Sequence, residues 1–482
     1  MKSDGRGRAR RNATLLATVA RRRGSPHLRG PSWLATAIFS VFAVACSGRG
    51  PEDARPLDSV DGRETPKKVR LADGWPSIHH DPANSDSTPI TGARRLELAF
   101  QALDGARTVA IPAAARVTVS DGAETRVYVT ASLEGSPCHL FVLDAHTGRR
   151  LWCSAELSGT AFGSTPVVTE DGRVFVGDDR RLMSFSADGD LLWSTPIEGL
   201  AISAQLASDG MLVFNTHIGL VYLLDPDNGR VLARHHLLPG RRYGGSPAEL
   251  LACPQGRGGL DCPAANTPAV DEESRRIFVT LSGSANRPGE LVAVEYDPMV
   301  AGSRRPVATR TLWKRGVLRG GGAASPTLSE DRRTVYTLDR EGRLLALRAT
   351  DGRLVWEHHT GFVSGGSPSV QDGIVIPSGG RGRTWVGAVR DAGRTAEPLW
   401  ERRDLVNRGL SVQAAGGVVY VATVKAGQVS LVVLDREDGE TISETPIAGA
   451  ALASMGTAVG PDGWVYLTTP FDGLFALRPA DR

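Results

Sequence analysis

Several common features are scarce or absent in this sequence of 482 residues. It has five cysteines, no two of them adjacent and none in a Cys-x-x-Cys pair, so it lacks thioredoxin-like, zinc-ribbon and haem-attachment motifs. After residue 45 no apolar run reaches the length that spans a bilayer. No window has sustained helical periodicity, and no Gly-x-Ser-x-Gly elbow, paired-carboxylate motif or phosphate-binding glycine loop can be placed.

The charge of the chain is concentrated at its start. Residues 1–45 carry nine Lys and Arg against Asp4 alone, a net charge of +8, whereas the whole chain has +3, so the remainder sums to −5. A basic surface for nucleic acid is therefore not expected on the body of the protein.

The N-terminus has the layout of a bacterial export signal. The basic region leads into the apolar run 33–45, "WLATAIFSVFAVA", and then Cys46, and "AVAC" resembles a lipoprotein box. We predict a signal peptide over 1–45, lipidation of Cys46 and a flexible tether over 46–74. An ordinary secretory signal or a non-cleaved anchor are the alternatives. Ser47 after the Cys favours a lipid-anchored protein at the outer membrane facing the periplasm, in an envelope of the Gram-negative type.

The other four cysteines are consistent with export. In the stretch "LDAHTGRRLWC", a two-residue hairpin with Ala145 and His146 at its tip would place Leu143 opposite Gly148 and Cys138 opposite Cys153, close enough for a disulfide. Cys253 and Cys262 bracket "PQGRGGLD" and would close a surface loop. Four free thiols are the alternative, which the export signal disfavours.

That stretch is one copy of a repeat. Related segments recur at steps of about 41–44 residues, with one longer gap that holds an insertion at about 237–266. Each copy contains four short strands joined by Asp-Gly turns, as in "GSTPVVTEDGRVFVGD". The sequence therefore predicts an all-β, eight-bladed β-propeller of four-stranded antiparallel blades over 75–482. A long β-sandwich or β-helix is the alternative.

The last repeat stops before its fourth strand, and "RRLELAFQAL" (94–103) reads as a fourth strand without a repeat. We predict that this N-terminal strand completes the last blade and closes the ring.

The motifs "VLDAHTGRRLW", "GSTPVV" and "WPSIHHDPANS" resemble those of the pyrroloquinoline-quinone-type (PQQ-like) repeat proteins. In that family an Ala-x-Asp-x-x-Thr-Gly-x-x-x-Trp motif docks neighbouring blades. The resemblance assigns this structural role to Asp144, Thr147, Gly148, Trp152, Trp193, Trp313, Trp356 and Trp400.

Two branches of the family imply different functions. The quinoprotein dehydrogenases bind PQQ and calcium and stack the quinone between a Trp and a disulfide of adjacent cysteines, a pair that this sequence lacks. The propeller lipoproteins of the outer-membrane β-barrel assembly machinery are lipidated, eight-bladed and non-enzymatic. The resemblance to this second branch implies a scaffold that binds envelope proteins, with neither PQQ nor calcium. A funnel-based enzyme and a glycan-binding propeller are the alternatives.

Few residues are candidates for a site. The pairs His235-His236 and His358-His359 fall at the same place on outer strands two blades apart, so they are predicted to be solvated and unable to share a metal. His79, His80 and Asp81 could form half of a site. In the insertion, Arg241, Arg242, Tyr243 and Arg257 form a candidate partner-binding loop, with a solvated decoration as an equal alternative. No catalytic residue, cofactor-binding residue or metal ligand is predicted.

Overall fold

The structure, a computed structural model, describes residues 69–239, 263–264, 266–283, 287–298, 306–322, 324–380 and 382–480. The predicted signal peptide, Cys46 and most of the predicted tether lie outside these residues. So do Cys253, Cys262 and the four residues of the candidate partner-binding loop.

The regular secondary structure of the described chain consists of strands, apart from a single 3-10 turn at Ala161–Gly163. Three strands precede the repeats: β1 (Asp73–Trp75), β2 (Ser87–Thr91) and β3 (Leu96–Ala102). Blade 1 contains β4 (Ala113–Val119), β5 (Gly122–Thr130), β6 (Leu140–Asp144) and β7 (Arg150–Ser154), and blade 2 contains β8 (Val167–Val168), β9 (Val174–Gly177), β10 (Arg181–Phe185) and β11 (Leu191–Pro196). Blade 3 contains β12 (Gln205–Leu206), β13 (Leu212–Asn215), β14 (Leu220–Leu224) and β15 (Val231–His236). Blade 4 contains β16 (Ala269–Asp271), β17 (Arg276–Leu281), β18 (Gly289–Tyr296) and β19 (Thr309–Leu318).

The second half of the ring has the same plan. Blade 5 contains β20 (Thr327–Leu328), β21 (Thr334–Leu338), β22 (Arg343–Arg348) and β23 (Leu354–His359), and blade 6 contains β24 (Ser369–Gln371), β25 (Ile374–Ile376), β26 (Val386–Asp391) and β27 (Ala396–Arg402). Blade 7 contains β28 (Asn407–Ala415), β29 (Val418–Lys425), β30 (Gln428–Asp435) and β31 (Thr441–Ala451). Blade 8 contains β32 (Gly456–Val459), β33 (Val465–Thr469) and β34 (Gly473–Pro479).

Closure of the ring occurs as predicted. Strand β3 pairs antiparallel with β34, so that Leu96 lies opposite Pro479 and Gln101 opposite Phe475. The N-terminal strand is thus the outermost strand of blade 8, and the eight-bladed propeller is confirmed.

The hydrophobic core lies between blades rather than within them. The second and third strands of a blade are buried on both faces, as in β9 and β10, and their apolar side chains form seven clusters, each shared by adjacent blades. The largest cluster joins blades 7, 8 and 1 across the closure. Because a single blade cannot cover its own faces, each blade depends on its neighbours for stability.

The two ends of the propeller differ in their connections. One end, here called the turn face, carries the hairpins between first and second strands and between third and fourth strands. The opposite end, the loop face, carries the connections between second and third strands and those between blades. This follows from the antiparallel order of every blade.

The hairpin in "LDAHTGRRLWC" is wider than the two-residue turn predicted from the sequence. Leu143 pairs with Arg150 instead of Gly148, and Phe141, not Cys138, lies opposite Cys153. The Asp144 carboxylate causes this by accepting hydrogen bonds from the backbone N–H and the hydroxyl of Thr147, at 2.9 and 2.7 Å. The predicted disulfide is nevertheless present, because Cys138 lies just before β6 with its Cα 5.8 Å from that of Cys153.

Candidate functional site at the propeller axis

The axis of the propeller is occupied by the chain's own N-terminal segment, residues 73–91, here called the axial segment. Strand β1 pairs with the innermost strand of blade 1, with Gly74 opposite Ala115. Strand β2 pairs in parallel with the innermost strand of blade 7. Contacts with the propeller begin before Trp75, because Leu71 already forms a bridge with Thr169 of blade 2.

Between these two strands the axial segment satisfies the inner edges of other blades. An innermost strand leaves backbone N–H groups pointing at the axis, and burying them without a partner would be costly. Five carbonyls of the segment accept these hydrogen bonds at 2.6–3.1 Å: Pro76 from Val168, Pro82 from Val270, Ala83 from Leu328, Ser85 from Val370 and Asp86 from Gln413. The segment thereby contacts blades 2, 4, 5, 6 and 7 in chain order.

Asn84 extends these contacts through its side chain. Its amide nitrogen donates to the carbonyls of Thr267 and Pro326 at 3.2 and 2.9 Å, and its oxygen accepts from Gln205 Nε2 of blade 3 at 2.6 Å. Asn84 is fully buried and has a φ of 58°, a left-handed conformation that Asn tolerates better than most residues. One side chain therefore joins blades 3, 4 and 5 at the axis.

His79, one of the three residues suggested by the sequence as half of a site, lies at the centre of a buried polar network. His80 and Asp81 are not part of this network, and their side chains lie 3.6 Å from each other. The Nδ1 of His79 is 2.9 Å from Asp86 Oδ1, and its Nε2 is 3.2 Å from the Ser325 hydroxyl. Ser367 also donates to the Asp86 carboxylate. Burial raises the pKa of Asp86, outweighing the opposing effects of His79 and Ser367.

Asp86, His79 and Ser325 have the residue types of a nucleophilic triad, but the surroundings indicate a structural role. The exposed fractions of Asp86 and His79 are 0% and 3%, so a substrate cannot reach the base. The Ser325 hydroxyl already accepts a hydrogen bond from the Thr267 backbone at 3.0 Å. The network holds the axial segment against blades 5 and 6.

The docking residues lie at the seams between blades. The Trp193 ring of blade 2 lies against the turn glycine of blade 3, where a Cβ on Gly229 would come within 2.4 Å of the indole. The Trp193 nitrogen donates to the Pro226 carbonyl at 2.9 Å. Trp152, Trp313 and Trp400 repeat both contacts on the next blade. Trp356 differs by donating to the Asp391 carboxylate at 3.0 Å.

Phe100 is the docking residue that sequence reasoning missed. In every blade the Trp position pairs with the third strand immediately beside a register shift, and Phe100 occupies that position opposite Ala476 in blade 8. Its ring contacts Gly148, the glycine of the best-preserved motif. The hydrogen bond that an indole would supply comes instead from the Tyr466 hydroxyl, 3.1 Å from the Ala145 carbonyl. The equivalence could have been found by aligning "RRLELAFQAL" as a fourth strand.

The paired histidines on the outer strands do not form a site. His235 is half-buried rather than solvated, because its ring bonds to Thr309 and Thr311 of blade 4 at 3.1 and 2.9 Å. Burial lowers the pKa of both His235 and His358. Within the described ranges, no three His, Cys, Asp or Glu side chains are grouped so that they could hold a metal ion.

A crevice of about 370 Å³ lies on the outer rim, where blade 2 meets blade 3. It is lined by Pro196, Ile197, Glu198, Tyr222, Val231 and Arg234. Arg234 and Glu198 form an ion pair across it, so the crevice belongs to the seam between the two blades.

A family model and a relative both relate this chain to outer membrane protein assembly factor BamB. The family model described as outer membrane protein assembly factor BamB, of the PQQ-like repeat type, matches residues 138–243 and 310–442. The outer membrane protein assembly factor BamB of Yersinia pestis is 22% identical over 340 residues, covering 65% of this chain and 73% of that protein. The chain is a β-propeller whose repeats resemble those of the PQQ-like family and of BamB. Protein Rv3035 of Mycobacterium tuberculosis is 28% identical over 418 residues, covering 85% of this chain and 96% of that protein.

A solved structure shares the fold of this propeller. The quinohemoprotein alcohol dehydrogenase ADHIIG of Pseudomonas putida HK5 superposes with a TM-score of 0.57 at 14% identity, covering 85% of this chain and 80% of that one. At this identity the likeness concerns the fold and not the activity.

Proposed function

We propose that this protein is a non-enzymatic lipoprotein of the cell envelope, anchored through Cys46 at the outer membrane, whose propeller is a scaffold that binds other envelope proteins. The resemblance to BamB supports a role in the assembly of outer-membrane proteins. No helix of the described residues is long and apolar enough to cross a membrane.

The observation that carries the proposal is the occupied axis. Propeller enzymes use the axial channel for substrate and cofactor, whereas here the inner edges of the blades are hydrogen-bonded to the axial segment. The surfaces that are left for binding are the loop face, the turn face and the outer rim. Extended surfaces outside the axis suit macromolecules better than small substrates, which bind in enclosed pockets.

The placement of the disulfide supports a function without PQQ. The family's quinone would need a disulfide of adjacent cysteines beside it, whereas Cys138 and Cys153 are 15 residues apart and join a connection of blade 1 to its outermost strand. Cys138 packs in the cluster between blades 1, 7 and 8. These residues do not fit the quinone, and we propose neither PQQ nor calcium as a cofactor.

Site-specific photo-crosslinking in intact cells tests the proposal. A photoreactive residue is placed at Val363 of the loop face or at Leu192 of the outer rim, both of which are exposed. We expect at least one position to capture an envelope protein in stoichiometric amounts. If neither does, and the detergent-extracted protein runs alone at its monomer mass, the scaffold function is wrong. Turnover of alcohols after addition of PQQ and Ca²⁺ would favour an enzyme instead.

A further inference from the structure

The loop face is divided into two halves of opposite charge. In blades 8, 1, 2 and 3, its described connections carry two arginines and seven carboxylates: Arg107, Arg180, Asp104, Glu134, Glu156, Asp178, Asp179, Glu198 and Asp472. In blades 4 to 7 they carry five cations and three carboxylates: Arg287, Arg319, Arg340, Arg383, Arg403, Asp339, Glu341 and Asp404. The first group of connections is here called the acidic half and the second group the basic half.

Most of the positive charge in the basic half is uncompensated. Two of its carboxylates are neutralised by neighbours outside the loops, Asp339 by Arg343 at 2.6 Å and Asp404 by Arg402 at 2.7 Å. Among its cations, Arg403 alone has a carboxylate partner within the part of the chain that the structure describes, Glu401 at 2.8 Å. The remaining four cations therefore face one free carboxylate, although the chain after residue 45 is acidic overall.

An apolar island lies among these cations. The Phe362 and Trp385 rings meet edge to face with centroids 5.1 Å apart, and the Arg403 guanidinium lies 5.0 Å from the centre of the Trp385 ring. Next to Phe362, the Val363 side chain is 43% exposed. Arginine and tryptophan around an exposed apolar side chain are enriched at the centres of protein interfaces.

From this juxtaposition we infer that the basic half binds an acidic segment of a partner protein, with apolar side chains of that segment on Val363 and Trp385. The inference rests on the proposed scaffold function and names the partner's chemistry. Long-range attraction would steer the segment to this half, and the acidic half would repel it, so the two halves together fix its position.

The division of charge favours a protein segment over a membrane as the occupant. An anionic bilayer that covered the loop face would also lie against the acidic half, whereas a short segment can lie on the basic half alone.

A binding measurement on the full chain tests the inference. The probe is a fluorescent 14-residue peptide of Asp and Glu with two leucines, and its matched control has Asn and Gln in place of every carboxylate. By fluorescence anisotropy we expect the acidic peptide to bind at least about 10-fold more tightly than the control at low salt, with most of the difference lost at about 0.3 M salt.

Paired variants locate the binding surface. Arg319→Ala with Arg340→Ala removes two unpaired, exposed cations of the basic half, and we expect about 5- to 10-fold weaker binding of the acidic peptide. Arg149→Ala with Arg353→Ala removes two exposed cations of the turn face and should change the affinity by less than about 2-fold. Equal losses in both double variants, or no preference for the acidic peptide, would overturn the inference. Tighter binding to phosphatidylglycerol vesicles than to the peptide would overturn it in favour of a membrane.

The crosslinking experiment separates this inference from the function on which it rests. Capture of a partner from Leu192 but not from Val363 would leave the scaffold in place and refute the basic half as its docking site. Capture from Val363 that is lost in the Arg319→Ala, Arg340→Ala background supports both.

Discussion

Replacing Asn84 tests whether the axial segment holds the ring together. Asn84→Ala removes three buried hydrogen bonds, to Thr267, Pro326 and Gln205, each worth about 1–1.5 kcal/mol. It also forces alanine into a left-handed conformation at φ 58°, which costs about 1 kcal/mol more. We expect the free energy of unfolding to fall by about 4–6 kcal/mol in total.

Guanidinium denaturation followed by tryptophan fluorescence measures this loss. With an m-value of about 6 kcal/mol/M, the midpoint should fall by about 0.8 M. Asn84→Gly, which accepts the same backbone conformation, should lose about 1 kcal/mol less than Asn84→Ala and remains measurable if the alanine variant does not fold. Asn228→Ala is the matched control, because Asn228 lies exposed in a turn and its side chain makes only short-range hydrogen bonds, to the Asp225 carboxylate and from the Arg230 backbone N–H.

A double variant identifies which contact is lost. Gln205→Leu removes the donor to Asn84, so combining it with Asn84→Ala should cost about 1–2 kcal/mol less than the sum of the single changes. If Asn84→Ala is no more destabilising than Asn228→Ala, or if the two axial changes add without coupling, the axial segment does not stabilise the blades in the way described.

Three further predictions follow from other parts of the ring. Burial lowers the pKa of His217 to about 4, so its contribution to stability is complete above pH 6.5 and is lost as the pH falls towards 4. His217→Gln should therefore reduce the loss of stability between pH 7 and pH 5 by up to about 2 kcal/mol, and an unchanged pH profile would contradict this. Phe100→Ala should lower the free energy of unfolding by about 2 kcal/mol and speed amide exchange in β3 and β34, whereas exchange that rises equally in all blades would argue against a closure role. In a background with Cys253 and Cys262 already changed to serine, changing Cys138 and Cys153 together to serine should cost about 3 kcal/mol and abolish the effect of dithiothreitol on the unfolding midpoint; a variant still destabilised by reductant would contradict the Cys138–Cys153 disulfide.

The repeat could be predicted from the sequence because it depends on local chemistry. Asp and Gly at fixed offsets determine the hairpins, and an indole at a fixed distance from the turn determines the seam, so spacing predicted both the blades and their number. The closing strand could be predicted for a related reason. The last repeat lacks its fourth strand, and the segment before the first repeat contains a strand without a repeat.

The register of the hairpin and the contacts of the axial segment could not be predicted from the sequence in the same way. A single carboxylate, that of Asp144, widens the turn and moves every pair beyond it, an effect that strand alternation does not encode. The partners of His79 lie 246 and 288 residues away in Ser325 and Ser367. Small serine side chains at the start of inner strands predicted only a lack of room at the axis.

The net charge of the chain gave no sign that the loop face is divided into two halves of opposite charge. A net charge summed over the chain cannot separate two groups of loops whose charges are opposite in sign and partly cancel. Only the ring order, which places the connections of blades 4 to 7 side by side, reveals the basic half.

The path of the axial segment constrains how the protein is made. The segment leaves the ribosome before any blade, yet its hydrogen bonds join it to Pro326 and Val370, which are synthesised 242 and 283 residues later. Contacts of such high sequence separation form slowly, so the nascent chain must keep its first strands unpaired until its last ones arrive. Export in an unfolded state, before the C-terminal blade exists, is therefore compatible with this fold, and a prematurely terminated chain would have a segment without a ring to close around it.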